Sequence, residues 1–188
     1  VNHFVDSLTV ALVLPEQDLA GGRILDVGAG AGFPGFPLKI AWPGIRLALL
    51  ESVGKKVRFL QHLVVALGLE GVDVLDGRAE ELAHSPELRE VFDVVLARGL
   101  APMRVLAELT LPFCRVGGIV VAHKKGVIGG EMAQADNAIG LLGGRVREVR
   151  PVDLDGLRDG RVLVVLEKAR PTDRRYPRRA GVPKHRPL

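Results

Sequence analysis

The chain has 188 residues, 47% hydrophobic and 26% charged, with a formal net charge of +4, which is enough for one core without disulfide staples. Cys114 is the single cysteine, so an intramolecular disulfide framework and any multi-cysteine metal site are excluded, and no apolar run approaches the roughly 20 residues that cross a bilayer. The opening Val1-Asn2-His3-Phe4-Val5-Asp6 has neither the charged nor the apolar region of a signal peptide, so a cytoplasmic protein is expected.

Helical spacing begins at Phe4–Val13. Short runs rich in Val, Ile and Leu follow at Arg23–Val27, Arg46–Leu50, Val72–Leu75, Phe92–Ala97 and Ile119–Ala122. They barely alternate and are separated by helical segments, the pattern of parallel strands buried on both faces. Further helices are predicted at Pro34–Ala41, Lys55–Leu67, Pro102–Leu111 and Glu131–Leu142. The clearest is Lys55–Leu67, where Val57, Leu60, Val64 and Leu67 share a side and Gly68 supplies a stop. Val146–Val149 and Arg161–Glu167 are joined by a polar, Asp-Gly-rich stretch, a hairpin signal. The expected fold is a doubly wound, Rossmann-like α/β domain over residues 1–168. Its seven-stranded, mostly parallel sheet ends in an antiparallel hairpin, with helices on both faces and the strand C-termini along one edge. Residues 169–188, punctuated by Pro171, Pro177, Pro183 and Pro187, read as an extended basic tail. Lys168–Leu188 carries a net +7, which leaves −3 for residues 1–167. Such a distribution suits a polyanion, or a solvated tail that aids solubility.

The strongest local signal is Ile24-Leu25-Asp26-Val27-Gly28-Ala29-Gly30-Ala31-Gly32-Phe33-Pro34-Gly35, a strand entering a glycine-rich turn and then a helix. Gly28, Gly30 and Gly32 let the backbone turn tightly and approach a ligand, which implies a nucleotide or nucleoside cofactor. A dinucleotide fingerprint fits poorly. Begun where the strand ends, at Gly28, it would require glycine at Phe33, and Pro34 removes a backbone donor where a pyrophosphate needs one. Asp26 would repel a pyrophosphate but suits an ammonium, such as the methionine end of S-adenosylmethionine. Glu51 ends the second strand, placed to accept from both ribose hydroxyls of either cofactor. Gly77-Arg78-Ala79-Glu80-Glu81 follows the third strand and offers an N–H and a carboxylate to an adenine edge, or simply a helix's first turn.

The loop Leu96-Ala97-Arg98-Gly99-Leu100-Ala101-Pro102 lacks the Asn- or Asp-Pro-Pro-aromatic arrangement that grips an exocyclic amino group. Cys114 has no basic partner to poise it as a nucleophile. What remains is an acceptor that is already nucleophilic, such as guanine N7, attacked in line without a metal or a general base. Orientation alone contributes up to roughly 7–11 kcal/mol to such a displacement. Arg98, Lys124 and Lys125 would steer phosphates and donate to guanine O6, with Arg98 and Lys125 as the positioning residues. Arg98 also fits the role of an ion-pair strut. A nicotinamide-dependent oxidoreductase and a non-catalytic RNA-binding protein stand as alternatives.

His3-Phe4-Val5-Asp6-Ser7, the Asp26–Gly35 loop, Leu49-Leu50-Glu51-Ser52-Val53-Gly54-Lys55-Lys56-Val57-Arg58-Phe59-Leu60 and Tyr176-Pro177-Arg178-Arg179-Ala180-Gly181-Val182-Pro183 together resemble the glucose-inhibited division protein B family. The resemblance implies a class I methyltransferase fold and transfer from S-adenosyl-L-methionine to guanine N7 in small-subunit (16S) ribosomal RNA near the decoding site. It also implies presentation of that RNA on the ribosomal particle. The sequence leaves the oligomeric state open, with a monomer expected. Cofactor contacts are implied for Gly28, Phe33, Glu51, Ser52, Val53, Ala79, Glu80 and Arg98, and RNA contacts for His3, Lys124, Lys125, Arg178 and Arg179. The chain departs from the family at Asn2, where arginine is usual, and at Gly99, where alanine is usual. His123-Lys124-Lys125-Gly126 leaves open which lysine takes the family's role. The family's upstream helical part is expected to be missing here, and the C-terminus complete.

Overall fold

The computed structural model describes residues 2–154, 157 and 159–188. The chain opens with α1 (Asn2–Leu8), a 3-10 turn at Thr9–Leu12 and α2 (Glu16–Gly21). The pairs β1 (Arg23–Val27) and α3 (Gly35–Ala41), β2 (Arg46–Glu51) and α4 (Gly54–Ala66), and β3 (Val72–Asp76) and α5 (Ala79–Leu82) follow. Next come β4 (Phe92–Arg98), α6 (Met103–Thr110), β5 (Cys114–Lys125) and α7 (Gly129–Leu141), then β6 (Gly144–Pro151), β7 (Arg161–Lys168) and α8 (Val182–His185). The seven strands lie in the order β3-β2-β1-β4-β5-β7-β6. The first five are parallel, and β7 runs antiparallel between β5 and β6.

Burial of both faces explains why the strands barely alternate in polarity. Leu25, Val27, Val95, Ala97, Val120 and Ala122 face α5, α6 and α7, where Ala79, Met103, Leu106 and Ile139 meet them. Ile24, Leu47, Leu49, Val94, Leu96 and Val121 face the other way, toward Val10, Phe36, Leu38 and Leu60. The expected strands are all present, and β5 runs past Ile119–Ala122 at both ends, to Lys125 where β7 pairs with it and back to Cys114, which pairs with Phe92 of β4. The expected first helix is shorter and passes into the 3-10 turn, while α2 was not anticipated. No helix among the described residues is long and apolar enough to cross a membrane.

The C-terminal segment differs from the extended tail expected. It folds back over α5 and α6, because buried charges there need partners. Lys168 Nζ, fully buried, reaches Glu90 Oε1 at 2.9 Å and donates to the Leu111 carbonyl at 2.6 Å. Arg89 donates to the carbonyls of Ala83, Thr172, Asp173 and Tyr176. Glu108, also fully buried, accepts from Arg178 Nε, Nη2 and backbone N–H at 2.6–3.2 Å. Cys114 is buried, and burial pushes its thiol up to about 12, so it holds no thiolate near neutral pH.

Candidate active site

The parallel strands end on one edge, and their loops enclose a cleft of about 720 Å3. Gly28 from the β1 loop, Glu51, Ser52 and Val53 from β2, Ala79 and Glu80 from β3, and Gly99–Pro102 from β4 line it. Gly28 has φ +72°, and a Cβ there would come within 2.7 Å of Leu100 Cδ1, so glycine keeps the floor open. Glu51 ties the cleft together. Its Oε1 accepts from the Ser52 and Val53 N–H groups at 2.9 and 3.0 Å, and its Oε2 accepts from Gly30 N–H at 3.0 Å. Lys56 Nζ stands 3.7 Å away. Val27, Leu50, Val105 and Leu109 supply an apolar wall. A carboxylate at the β2 end, apolar walls and a glycine floor suit an adenosine group. Gly181, Lys184 and Pro187 complete the cleft from the folded-back segment, and Gly181 N–H donates to Glu80 Oε1 at 3.0 Å.

Six of the expected cofactor residues, Gly28, Glu51, Ser52, Val53, Ala79 and Glu80, thus meet in one cleft. Gly30, Gly32, Phe33 and Asp26 do not line it. Gly30 serves the cleft through its N–H to Glu51, and Gly32, at φ +87°, lies where a Cβ would strike the Phe36 ring. Asp26 follows Ile24 onto the α3 side of β1, so its carboxylate points at the start of α3 and does not line the cleft. Its Oδ2 accepts from Gly35 N–H at 3.0 Å, and its buried Oδ1 has no hydrogen-bond partner among the described residues. Burial raises its pKa to about 7, against the opposing effect of the Gly35 N–H. The folded protein therefore holds a proton that the unfolded chain has released above about pH 4, so this group's contribution to stability falls as pH rises from about 4 to about 7. Asp26→Asn, which cannot ionise, should gain in melting temperature relative to the native chain as pH is raised from 5 to 8. A difference that stays constant across that range would contradict this assignment.

A second cavity, about 410 Å3, adjoins the cleft across Gly99, Leu100 and Ala101. His3, Asp6, Arg98, His123, Lys124, Lys125 and Arg161 line it. Asp6 is its hub, with Oδ2 3.1 Å from Arg98 Nη1 and 2.8 Å from Arg161 Nη1. Arg98 also donates to the His3 carbonyl and Ser7 Oγ, and its guanidinium lies 5.1 Å from the centre of the Phe33 ring. Lys124 Nζ is held by Glu131 Oε1 at 2.6 Å and the Ala101 carbonyl at 2.8 Å, whereas Lys125, paired with Asp159, has a side chain 65% exposed at the rim. Burial lowers the pKa of His123 to about 4, with Asp6 opposing and Arg98 and Arg161 reinforcing. The ring is neutral at physiological pH. Of the two tail arginines expected to contact RNA, Arg178 is engaged by Glu108 and Arg179 is exposed on the outer surface. Asp6, His123 and Arg161 escaped the residue-by-residue reading. The predicted hairpin contains Arg161, but its pairing with Lys125 across β5 and β7 lies beyond the expected Ile119–Ala122 strand.

The family model of rRNA small subunit methyltransferase G matches residues 1–155. A ribosomal RNA small subunit methyltransferase G from Dehalococcoides mccartyi (strain CBDB1) is 51% identical over 188 residues, covering 100% of this chain and 79% of that protein. The chain belongs to the rRNA small subunit methyltransferase G family. A member from Roseiflexus sp. (strain RS-1) is 50% identical over 186 residues, covering 99% of this chain and 78% of that protein. Among solved structures, a precorrin-6y C5,15-methyltransferase from Geobacter metallireducens GS-15 shares the fold with a TM-score of 0.63 at 18% identity, covering 88% of each chain. A variant of MtNAS, solved in complex with S-adenosylmethionine, does so with a TM-score of 0.67 at 18% identity, covering 90% of this chain and 63% of that one. Membership of a methyltransferase family supports neither the nicotinamide-dependent alternative nor the non-catalytic one.

Proposed function

We propose that this chain transfers the methyl group of S-adenosyl-L-methionine to N7 of a guanine in 16S ribosomal RNA near the decoding site, acting in the cytoplasm on the small-subunit particle. The observation that carries the reading is the adjacency of two unlike cavities. One has a carboxylate, glycine and apolar walls suited to a nucleoside, and the other is lined by arginine and lysine suited to RNA. They share the Gly99–Ala101 loop, so a purine in the second lies beside the end of the first.

When bound, S-adenosylmethionine supplies an electrophilic sulfonium methyl. Glu51 would accept from the ribose hydroxyls and Val27, Leu50 and Ala79 would hold the base. Guanine N7 brings its own lone pair in the ring plane, so no side chain has to remove a proton. The cavity agrees with that economy. Asp6 is paired with Arg98 and Arg161, Glu131 with Lys124 and Asp159 with Lys125, and His123 is buried and neutral. Methylation at N7 would leave one positive charge on the purine, near which Asp6 offsets the two arginines. The chain's contribution is therefore position and field. Arg98, fixed by backbone, carboxylate, hydroxyl and ring contacts, would hold O6 or a flanking phosphate.

The test is transfer of labelled methyl to isolated small subunits that lack the modification. Incorporation is expected, and none by the active-concentration enzyme would overturn the reading. Arg98→Ala should lower kcat by roughly 10²-fold, the scale of a misplaced reactant, with S-adenosylhomocysteine affinity changed far less. Equal, negligible changes in both would remove Arg98 from the site.

A further inference from the structure

The cavity beside the cofactor cleft is dominated by hydrogen-bond donors, since Arg98, Lys124, Lys125 and Arg161 all line it. The carboxylates near them are already engaged. His123 differs from these neighbours. It stands at the C-terminal end of β5, in register with Arg98 on β4, and is 9% exposed. Its Nε2 lies 3.1 Å from the backbone carbonyl oxygen of Asp6. A carbonyl only accepts, so Nε2 carries the proton, and the neutral ring leaves a bare lone pair on Nδ1. That Nδ1 is buried with no hydrogen-bond partner among the described residues. An orphaned buried acceptor is costly; the ring that carries it lines the cavity, and an adjustment of that ring on substrate binding would bring Nδ1 to a donor seated there.

Attack through N7 decides which parts of a guanine face which wall. N7 and O6 lie together as acceptors, matching the cations. Beyond O6 the six-membered ring presents N1–H and the N2 amine, both donors, on the Watson–Crick edge. The geometry points to His123 as the residue that reads this edge, its Nδ1 accepting a hydrogen bond from guanine N1–H and so selecting guanine over purines whose N1 is itself an acceptor. This rests on the methyl-transfer reading above. A purine with an acceptor at N1 would set lone pair against lone pair and leave both unsatisfied, which is how a buried polar group rejects an analogue more strongly than an apolar pocket can.

The test compares small subunits reconstituted with the target guanine and with 2,6-diaminopurine in its place, which keeps N7 and the N2 amine but has an acceptor at N1 and an amine in place of O6, so the readout is how His123 variants change the ratio between the two. For guanine, His123→Leu should lower kcat/KM by about 10-fold or more, the loss of one buried hydrogen bond. The slow diaminopurine reaction should change by less than about twofold, so the ratio between the two substrates shrinks. His123→Gln, which keeps an acceptor and a donor toward the Asp6 carbonyl, should recover much of the guanine rate. S-adenosylhomocysteine affinity should stay constant in both variants. Equal slowing of both substrates, an unchanged ratio, a glutamine variant as slow as the leucine one, or cofactor affinity falling in step would overturn the role of His123. Failure of the native chain to methylate guanine-bearing subunits would be a different result, removing the methyl-transfer reading and this inference with it.

Discussion

Arg178→Ala is expected to destabilise the protein by about 3–5 kcal/mol, the scale seen when one partner of a buried ion pair is removed. Glu108 is fully buried and accepts from the Arg178 side chain at 2.6–3.2 Å. Truncation leaves its carboxylate with the Arg178 backbone N–H as its remaining bond from the segment. For a domain of this size, about 1 kcal/mol corresponds to roughly 2–4 °C, so the melting temperature should fall by about 6–20 °C. Two comparisons sharpen the measurement. Arg179→Ala, at an exposed neighbour, should change stability by less than about 0.5 kcal/mol. Arg178→Leu combined with Glu108→Leu should recover much of the loss, because an apolar pair carries no desolvation penalty. Equal small shifts for Arg178→Ala and Arg179→Ala would show that the segment is a loosely attached tail after all. The functional consequence is specific. Gly181, Lys184 and Pro187 line the cleft proposed for the cofactor, so a detached segment should weaken cofactor binding as well as stability.

Glu51→Ala should lower affinity for S-adenosylhomocysteine by at least about 10²-fold, since two hydrogen bonds to a charged acceptor contribute roughly 1.5–3 kcal/mol each. The substitution acts twice. It removes the acceptor for a ribose, and it releases the N–H groups of Gly30, Ser52 and Val53, which Glu51 now gathers at the end of β2. The released groups lie beside an open cleft where water can reach them, so the loss should be much larger in affinity than in melting temperature. Calorimetric titration reads the first and thermal denaturation the second. Affinity within threefold of the native chain would place the nucleoside elsewhere.

The parts of this molecule that were legible in the sequence are those in which short-range pattern and physical cause coincide. Strands buried on both faces must be continuously apolar, and Arg23–Val27 and Arg46–Leu50 are. A glycine at each left-handed position of the β1 loop is written in the chain because other side chains resist that backbone, as at Gly28, Gly30 and Gly32. The place of Glu51 at the cleft is legible because strand ends of a parallel sheet converge on one edge. Contacts across long separations were not legible. Asp6 meets Arg98 and His123 from the far end of the chain, and Glu108 meets Arg178 across 70 positions. Nothing local marks Glu108 on α6 as a buried acceptor, so the basic residues that follow β7 read as solvent-facing charge. Asp26 shows the limit of reading a residue by its charge. The pleat of β1 turns it toward α3, and its position behind the glycine loop follows from the alternation that puts Ile24 on the same face.

Borohydride–aniline scission tests the central claim most directly, because it cuts RNA at N7-methylated guanines and leaves ordinary nucleotides intact. After incubation of unmodified small subunits with the enzyme and S-adenosylmethionine, transfer by positioning onto a ring nitrogen predicts one new cut, at a guanine of the 16S RNA near the decoding site. Labelled methyl recovered in RNA that resists the scission would place the methyl on another atom and contradict it.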